Sequence, residues 1–174
     1  QLSAGKIVVG NYEMWMSGER VLNRGTGFLF PTENLTFTIP STAERVITVG
    51  AYDALTGTYA PFSGRGELLP RGEAKPDLVA PGVEIVTTGL NGGTTRVSGT
   101  SFATPFVTGS VALLMEWGIV KGKDPFLYGE KVKAYLRRGA QTLPGFAEYP
   151  NPLTGYGKLC VSEIICGILG NACK

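Results

Sequence analysis

The alternation of apolar and polar residues changes character near Arg45. Before it, Leu35-Thr36-Phe37-Thr38-Ile39 alternates over five residues, the period of a half-buried strand. Residues 7–9 and 12–16 also have strand composition, with Gly10-Asn11 between them as turn chemistry. Residues 1–39 are therefore expected to be β-rich, ending at Pro40-Ser41-Thr42. Beyond Arg45, Val46-Ile47-Thr48-Val49 is a short, nearly continuous apolar run, the pattern of a strand buried on both faces. Leu78-Val79-Ala80, residues 83–86 and residues 94–98 predict further short strands. Pro76, Pro81, Gly82 and Asn91-Gly92-Gly93 punctuate them.

Two helices are predicted next. The first, over about 100–117, carries Phe102, Phe106, Val107, Val111, Leu114 and Met115, with Ala103, Gly109, Ser110 and Ala112 between them. A helix small or apolar nearly all round is expected to be buried. Pro105 falls in or near its first turn, where proline is tolerated. The second, over 128–138, places Tyr128, Val132, Tyr135 and Leu136 on one face and turns Lys131, Lys133, Arg137 and Arg138 to solvent. Its basic last turn suits the helix dipole, and Gly139 suits the stop. Short buried strands with a buried helix indicate an α/β fold.

Composition narrows the function more than the fold. Of 174 residues, 43% are hydrophobic and 17% charged, which supports a core and excludes disorder. The net charge is +2 and there is no basic cluster, so nucleic acid is not an expected partner. No apolar run is long enough to predict a membrane span. Without an initiator Met or signal pattern at Gln1, the chain is expected to start inside a longer gene product. The sequence contains no histidine. That excludes a self-contained Ser-His or Cys-His nucleophile and any His metal site. Cys160, Cys166 and Cys173 cluster in the tail without a paired C-x-x-C, so zinc is not expected, nor any other metal or cofactor. They are expected to be free thiols rather than one local disulfide, which favours a reduced interior such as cytoplasm or developing spore over secretion.

The stretch with most chemistry is Gly99-Thr100-Ser101-Phe102-Ala103-Thr104-Pro105. Gly99 allows a tight turn and leaves room for a ligand. Ser101 falls where a helix begins, among free N–H groups and the positive end of the dipole. A developing oxyanion would be stabilised there, with the Ser101 N–H as one donor. Taken locally, Gly-Thr-Ser before a helix is also ordinary capping.

The motif resembles the nucleophile signature of subtilisin-like serine proteases, and other segments resemble the same family in order. They are Val49-Gly50-Ala51-Tyr52-Asp53, Phe62-Ser63-Gly64-Arg65-Gly66, Lys75-Pro76-Asp77-Leu78-Val79-Ala80-Pro81-Gly82 and Tyr156-Gly157-Lys158-Leu159. The likeness runs from about Pro40 to Leu159 and corresponds to the C-terminal half of such a domain. It is closest in look to clostridial subtilases that resemble spore-germination proteases. The resemblance implies a parallel sheet with a buried nucleophile helix in residues 40–174, and an inserted domain ending in residues 1–39.

The family's triad runs Asp, His, Ser along the chain. The resemblance therefore makes Ser101 the nucleophile and places the Asp, the His and the oxyanion Asn upstream. Asn11 is set aside as that Asn, because Gly10-Asn11 lies among β-turn signals and the segment before Ile39 is read as unlike the family. Ser98, Gly99 and Thr100 are implied to touch substrate, which would be a polypeptide. Ile39-Pro40 aligns with an x-Pro bond beside the specificity pocket, and a cis peptide is expected. Alone, the chain is expected to be an inactive part of an endopeptidase. The other half of the catalytic domain is its expected partner, since a sheet without its neighbours exposes edges. A pseudoprotease or regulatory binding protein is the alternative. Phe102 and Phe106 stand where many members have Met and His. Asp53 and Asp77 are expected in turns or caps. Arg65 and Arg96 are expected at the surface, solvated or ion-paired, and Trp15 and Trp117 in the core.

Overall fold

A computed structural model describes residues 8, 10, 14–17, 21–67 and 74–169. The chain divides into two compact units, Gln1–Thr32 and Glu33–Lys174. In the first, the described residues form turns and bends and no strand, and Trp15 is half exposed rather than in a core. The strand expected at 7–9 lies largely outside the described residues, and 14–16 are irregular.

In the second unit, residues 35–39 are also irregular, against the expected strand. Leu35 has φ 57, which interrupts extended backbone. Thr36 pairs with Arg65: Thr36 N donates to Arg65 O at 2.9 Å and Arg65 N to Thr36 Oγ1 at 2.8 Å. The β-rich character expected of residues 1–39 is thus absent among the described ones. Alternation alone makes no strand without a partner to take its N–H and C=O groups. The Ile39-Pro40 bond is cis, as expected.

The sheet is built from β1 (Val49–Asp53), β2 (Thr58–Tyr59) and β3 (Leu78–Pro81), in the order β2-β1-β3. β1 and β3 are parallel, with Val49 opposite Leu78 and Ala51 opposite Ala80. β2 returns antiparallel to β1 through a turn made by Asp53, whose Oδ1 accepts from Leu55 N at 2.8 Å. Asp53 is therefore the turn residue its position implied. Leu78, Val79 and Ala80 are wholly buried, as their unbroken apolar run requires. The closing Tyr156-Gly157-Lys158-Leu159 segment lies along the far edge of β3: Val79 N donates to Gly157 O and Leu159 N to Val79 O. β4 (Ile85–Thr88) and β5 (Thr94–Val97) form a separate hairpin.

Helix α1 (Thr100–Met115) packs on β1 and β3, then relaxes into a π turn over Glu116–Val120. Ala51, Ala80 and Ala103 are all fully buried, and their small side chains let the helix lie close to the sheet. The prediction that α1 is buried all round fails. Ala103, Val107, Ser110 and Leu114 are buried, while Phe106, Leu113 and Met115 are exposed. An apolar circumference records what a helix can bury, not how many neighbours this chain supplies. Pro105 is the sixth residue of α1, deeper than expected, and removes the N–H that would serve the Ser101 carbonyl. Thr100–Val120 is long and apolar enough on length and composition to cross a bilayer, and one side of α1 packs on β1 and β3.

Helix α2 (Gly129–Arg138) follows, then α3 (Val161–Leu169), a helix beyond the two expected. Val132, Leu136 and Ile164 join them in the core. A Cβ on Gly139 would lie 2.8 Å from Ile164 Cα, so this glycine makes room for α3. Tyr128 caps α2 in extended backbone and is exposed, not on the buried face. Cys166 is disulfide-bonded and Cys160 is free. This corrects the expectation of three free thiols and removes the compartment argument drawn from it.

Candidate active site

Two glycines fix where α1 begins. Gly99 N donates to Gly82 O at 2.8 Å, which ties the turn after β3 to the helix start. A Cβ on Gly82 would lie 2.7 Å from Ala51 Cβ and 3.0 Å from Gly99 O, so only glycine permits this approach. Gly99 has φ 155 and ψ 157, a conformation open chiefly to glycine. Phe102 N donates back to Gly99 O at 3.0 Å. Ser101 is thereby held in the first turn of α1, where backbone N–H groups lack partners within the helix.

Ser101 is exposed and faces a cleft of about 270 Å³. Pro40 and residues 46–49 wall one side, and Thr100, Ser101 and Thr104 the other. No charged side chain is among the lining residues. Thr104 and Thr108 turn their hydroxyls to carbonyls one turn back, at 3.0 and 3.2 Å. A second cleft of about 520 Å³ shares Ser41, Thr48, Val49 and Thr100 with the first. Half-exposed Phe62 lines it, as does Arg65, ion-paired with Glu33.

Of the residues predicted to touch substrate, the fold brings Thr100 to the Ser101 cleft. Ser98 and Gly99 do not line it. The Ser98 hydroxyl instead accepts from Glu84 N at 2.9 Å and helps hold Glu84 at φ 52.

Sequence reasoning missed the cluster behind the cleft wall. Asp77 is fully buried and is neither turn nor cap. Its Oδ1 accepts from Arg137 Nε at 3.0 Å and Nη2 at 2.7 Å, with Lys133 Nζ at 3.3 Å. Its Oδ2 accepts from Thr48 N at 2.7 Å and Lys75 Nζ at 3.3 Å. Arg137 also lies over the Tyr156 ring, 4.7 Å from its centroid. Lys133 and Arg137 therefore face inward, which corrects their expected solvent exposure. A buried carboxylate draws cations in where an apolar partner would have left them in water. Burial pushes the Lys75 ammonium below its ordinary pKa, with Asp77 opposing that shift. The available signal was an acid directly before a wholly apolar strand, with a lysine two residues earlier.

The Subtilase family model matches residues 9–157. The chain belongs to the subtilase family. Its fold is the α/β fold of that family, and the family is one of peptidases. This subtilase chain is similar to the CspB protease of Clostridium perfringens, at 47% identity and a TM-score of 0.80 over 85% of this chain and 31% of that one. It is 32% identical over 127 residues to serine protease AprX of Bacillus subtilis, covering 62% of this chain and 27% of that protein. It is 40% identical over 96 residues to the subtilase-type proteinase RRT12 of Saccharomyces cerevisiae, covering 54% of this chain and 17% of that one. The chain thus spans less than a third of each of these relatives. The match starts at residue 9, not near Pro40, so the segment before Ile39 is not unlike the family. One of the two grounds for setting Asn11 aside is therefore gone; Asn11 itself, and the turn expected at Gly10-Asn11, lie outside the residues described in full.

Proposed function

We propose that this chain is the nucleophile-bearing part of a subtilisin-like serine endopeptidase. Ser101 attacks the scissile carbonyl of a polypeptide lying beside the uncharged cleft, and the acyl-enzyme forms on its Oγ. The Ser101 N–H supplies one oxyanion donor. The His that takes the Ser proton and the Asp that orients it come from the rest of the catalytic domain, the partner of this chain. By itself the chain is inactive, because a serine without its base retains only residual catalysis.

The observation that carries this reading is an exposed Ser101 in the first turn of α1, set by the Gly82–Gly99 contact and opening onto a cleft. The exposed side of α1, with Phe106 and Leu113, supports a second part of the domain packing there. A fluorophosphonate probe tests the reading. The intact protein should be labelled at Ser101, and the isolated chain should not. Rapid labelling of the isolated chain would refute the division of the triad, and failure to label the intact protein would refute the assignment of Ser101.

A further inference from the structure

We infer that the buried Asp77 cluster is the positioning device of the substrate cleft: Asp77, Lys75 and Lys133 hold the 46–48 backbone that walls it, and so set which substrate side chain fits. The inference rests on reading the Ser101 cleft as the substrate site.

Residues 44–47 precede β1 outside any strand, and Thr48 is tied by one main-chain bond, from Asp77 N to Thr48 O at 2.8 Å. Side chains hold the rest of the segment. Lys75 Nζ donates to Val46 O at 2.8 Å and to Thr48 Oγ1 at 2.9 Å. Lys133 Nζ donates to Glu44 O at 2.6 Å and to Val46 O at 3.2 Å. Thr48 N donates to Asp77 Oδ2, and Thr48 Oγ1 donates to Ser41 O at 2.7 Å. A continuous chain of bonds thus runs from Asp77 through Lys75 and Thr48 to Ser41, and both Thr48 and Ser41 line the cleft opposite Ser101.

The stoichiometry supports this role. One carboxylate faces three cations, a poor arrangement for ion pairing alone. Lys75 directs its other N–H groups to the wall residues Val46 and Thr48, and Lys133 directs its own to Val46 and to Glu44 just before the wall. The lysines therefore connect a rigid anchor at the root of β3 to the part of the wall that main-chain bonding reaches only at Thr48. A wall displaced by a fraction of an ångström changes the width available to a side chain next to the reacting carbonyl.

The test uses the intact protein, with peptides that differ only in the residue before the scissile bond: Ala, Leu or Phe. Lys75→Met and Lys133→Met are compared with Ile164→Ala, which empties a core position outside the cluster. Lys75→Met is expected to change the Phe-to-Ala ratio of kcat/KM by about tenfold, chiefly through KM. Lys133→Met should move it in the same direction by less, because Lys75 still holds Val46. Ile164→Ala should lower Tm and leave the ratio unchanged. Should Lys75→Met fail to fold, Lys133→Met decides, since water can replace its bond to the exposed Glu44. Unchanged ratios in both lysine variants, or an equal change in Ile164→Ala, overturn the inference while wild type still labels at Ser101. A wild type that does not label overturns the site reading and this inference with it.

Discussion

Replacing Asp77 by Asn is the sharpest probe of what holds this fold together. The substitution keeps the side-chain volume and an acceptor for Thr48 N–H, removes the charge, and puts an NH2 donor where an oxygen accepts from Arg137. Lys75, Lys133 and Arg137 then remain buried around a neutral group, with side-chain exposures of 11%, 6% and 15%. Removing one partner of a buried ionic cluster costs about 3–5 kcal/mol, because the others cannot regain water. Against a total stability of about 5–15 kcal/mol, that is a large fraction. At about 2–4 °C per kcal/mol for a domain of this size, Tm should fall by about 6–20 °C. Lys133→Met should behave differently. It relieves one of three like charges and leaves the Glu44 carbonyl open to water, so it should cost about 1 kcal/mol. Thermal and urea melts followed by circular dichroism on the intact protein measure both. A loss of less than about 1 kcal/mol in Asp77→Asn, or equal losses in the two variants, would show that the carboxylate is not the hub.

Other predictions follow from the same geometry. Ser101→Ala in the intact protein should lower kcat by about 10⁴-fold or more and abolish fluorophosphonate labelling, with Tm within about 1 °C of wild type; residual turnover within tenfold would remove Ser101 from the mechanism. Gly99→Ala should cost about 1–3 kcal/mol through its φ of 155, since the added Cβ meets nothing closer than the Phe102 ring at 3.5 Å; an unchanged urea midpoint would contradict that. Lys75 gives a pH signature. Its pKa is lower folded than unfolded, so between those two values the unfolded chain binds more protons and stability rises with pH. Lys75→Met should remove that alkaline rise, and a stability–pH curve identical to wild type there would refute the burial argument.

Local sequence carried the start of α1 and the buried strand β3. Gly99 before Thr100-Ser101 states a backbone conformation and a helix start together, and Leu78-Val79-Ala80 has no polar residue to turn outward. Both are decided by bonds and sterics within a few residues. Asp53 was legible for the same reason, since an Asx turn closes on its own neighbours. Long-range partners decided the rest. Leu35-Thr36-Phe37-Thr38-Ile39 alternates like a strand, yet finds no ladder to join. Lys133 and Arg137 look like the wet side of α2 until Asp77 is placed beneath them by β3, 60 residues away in sequence from Arg137. Periodicity fixes the direction in which a side chain leaves its helix or strand. Only the fold fixes what it meets there, and a buried carboxylate makes the core favourable for groups that otherwise belong in water.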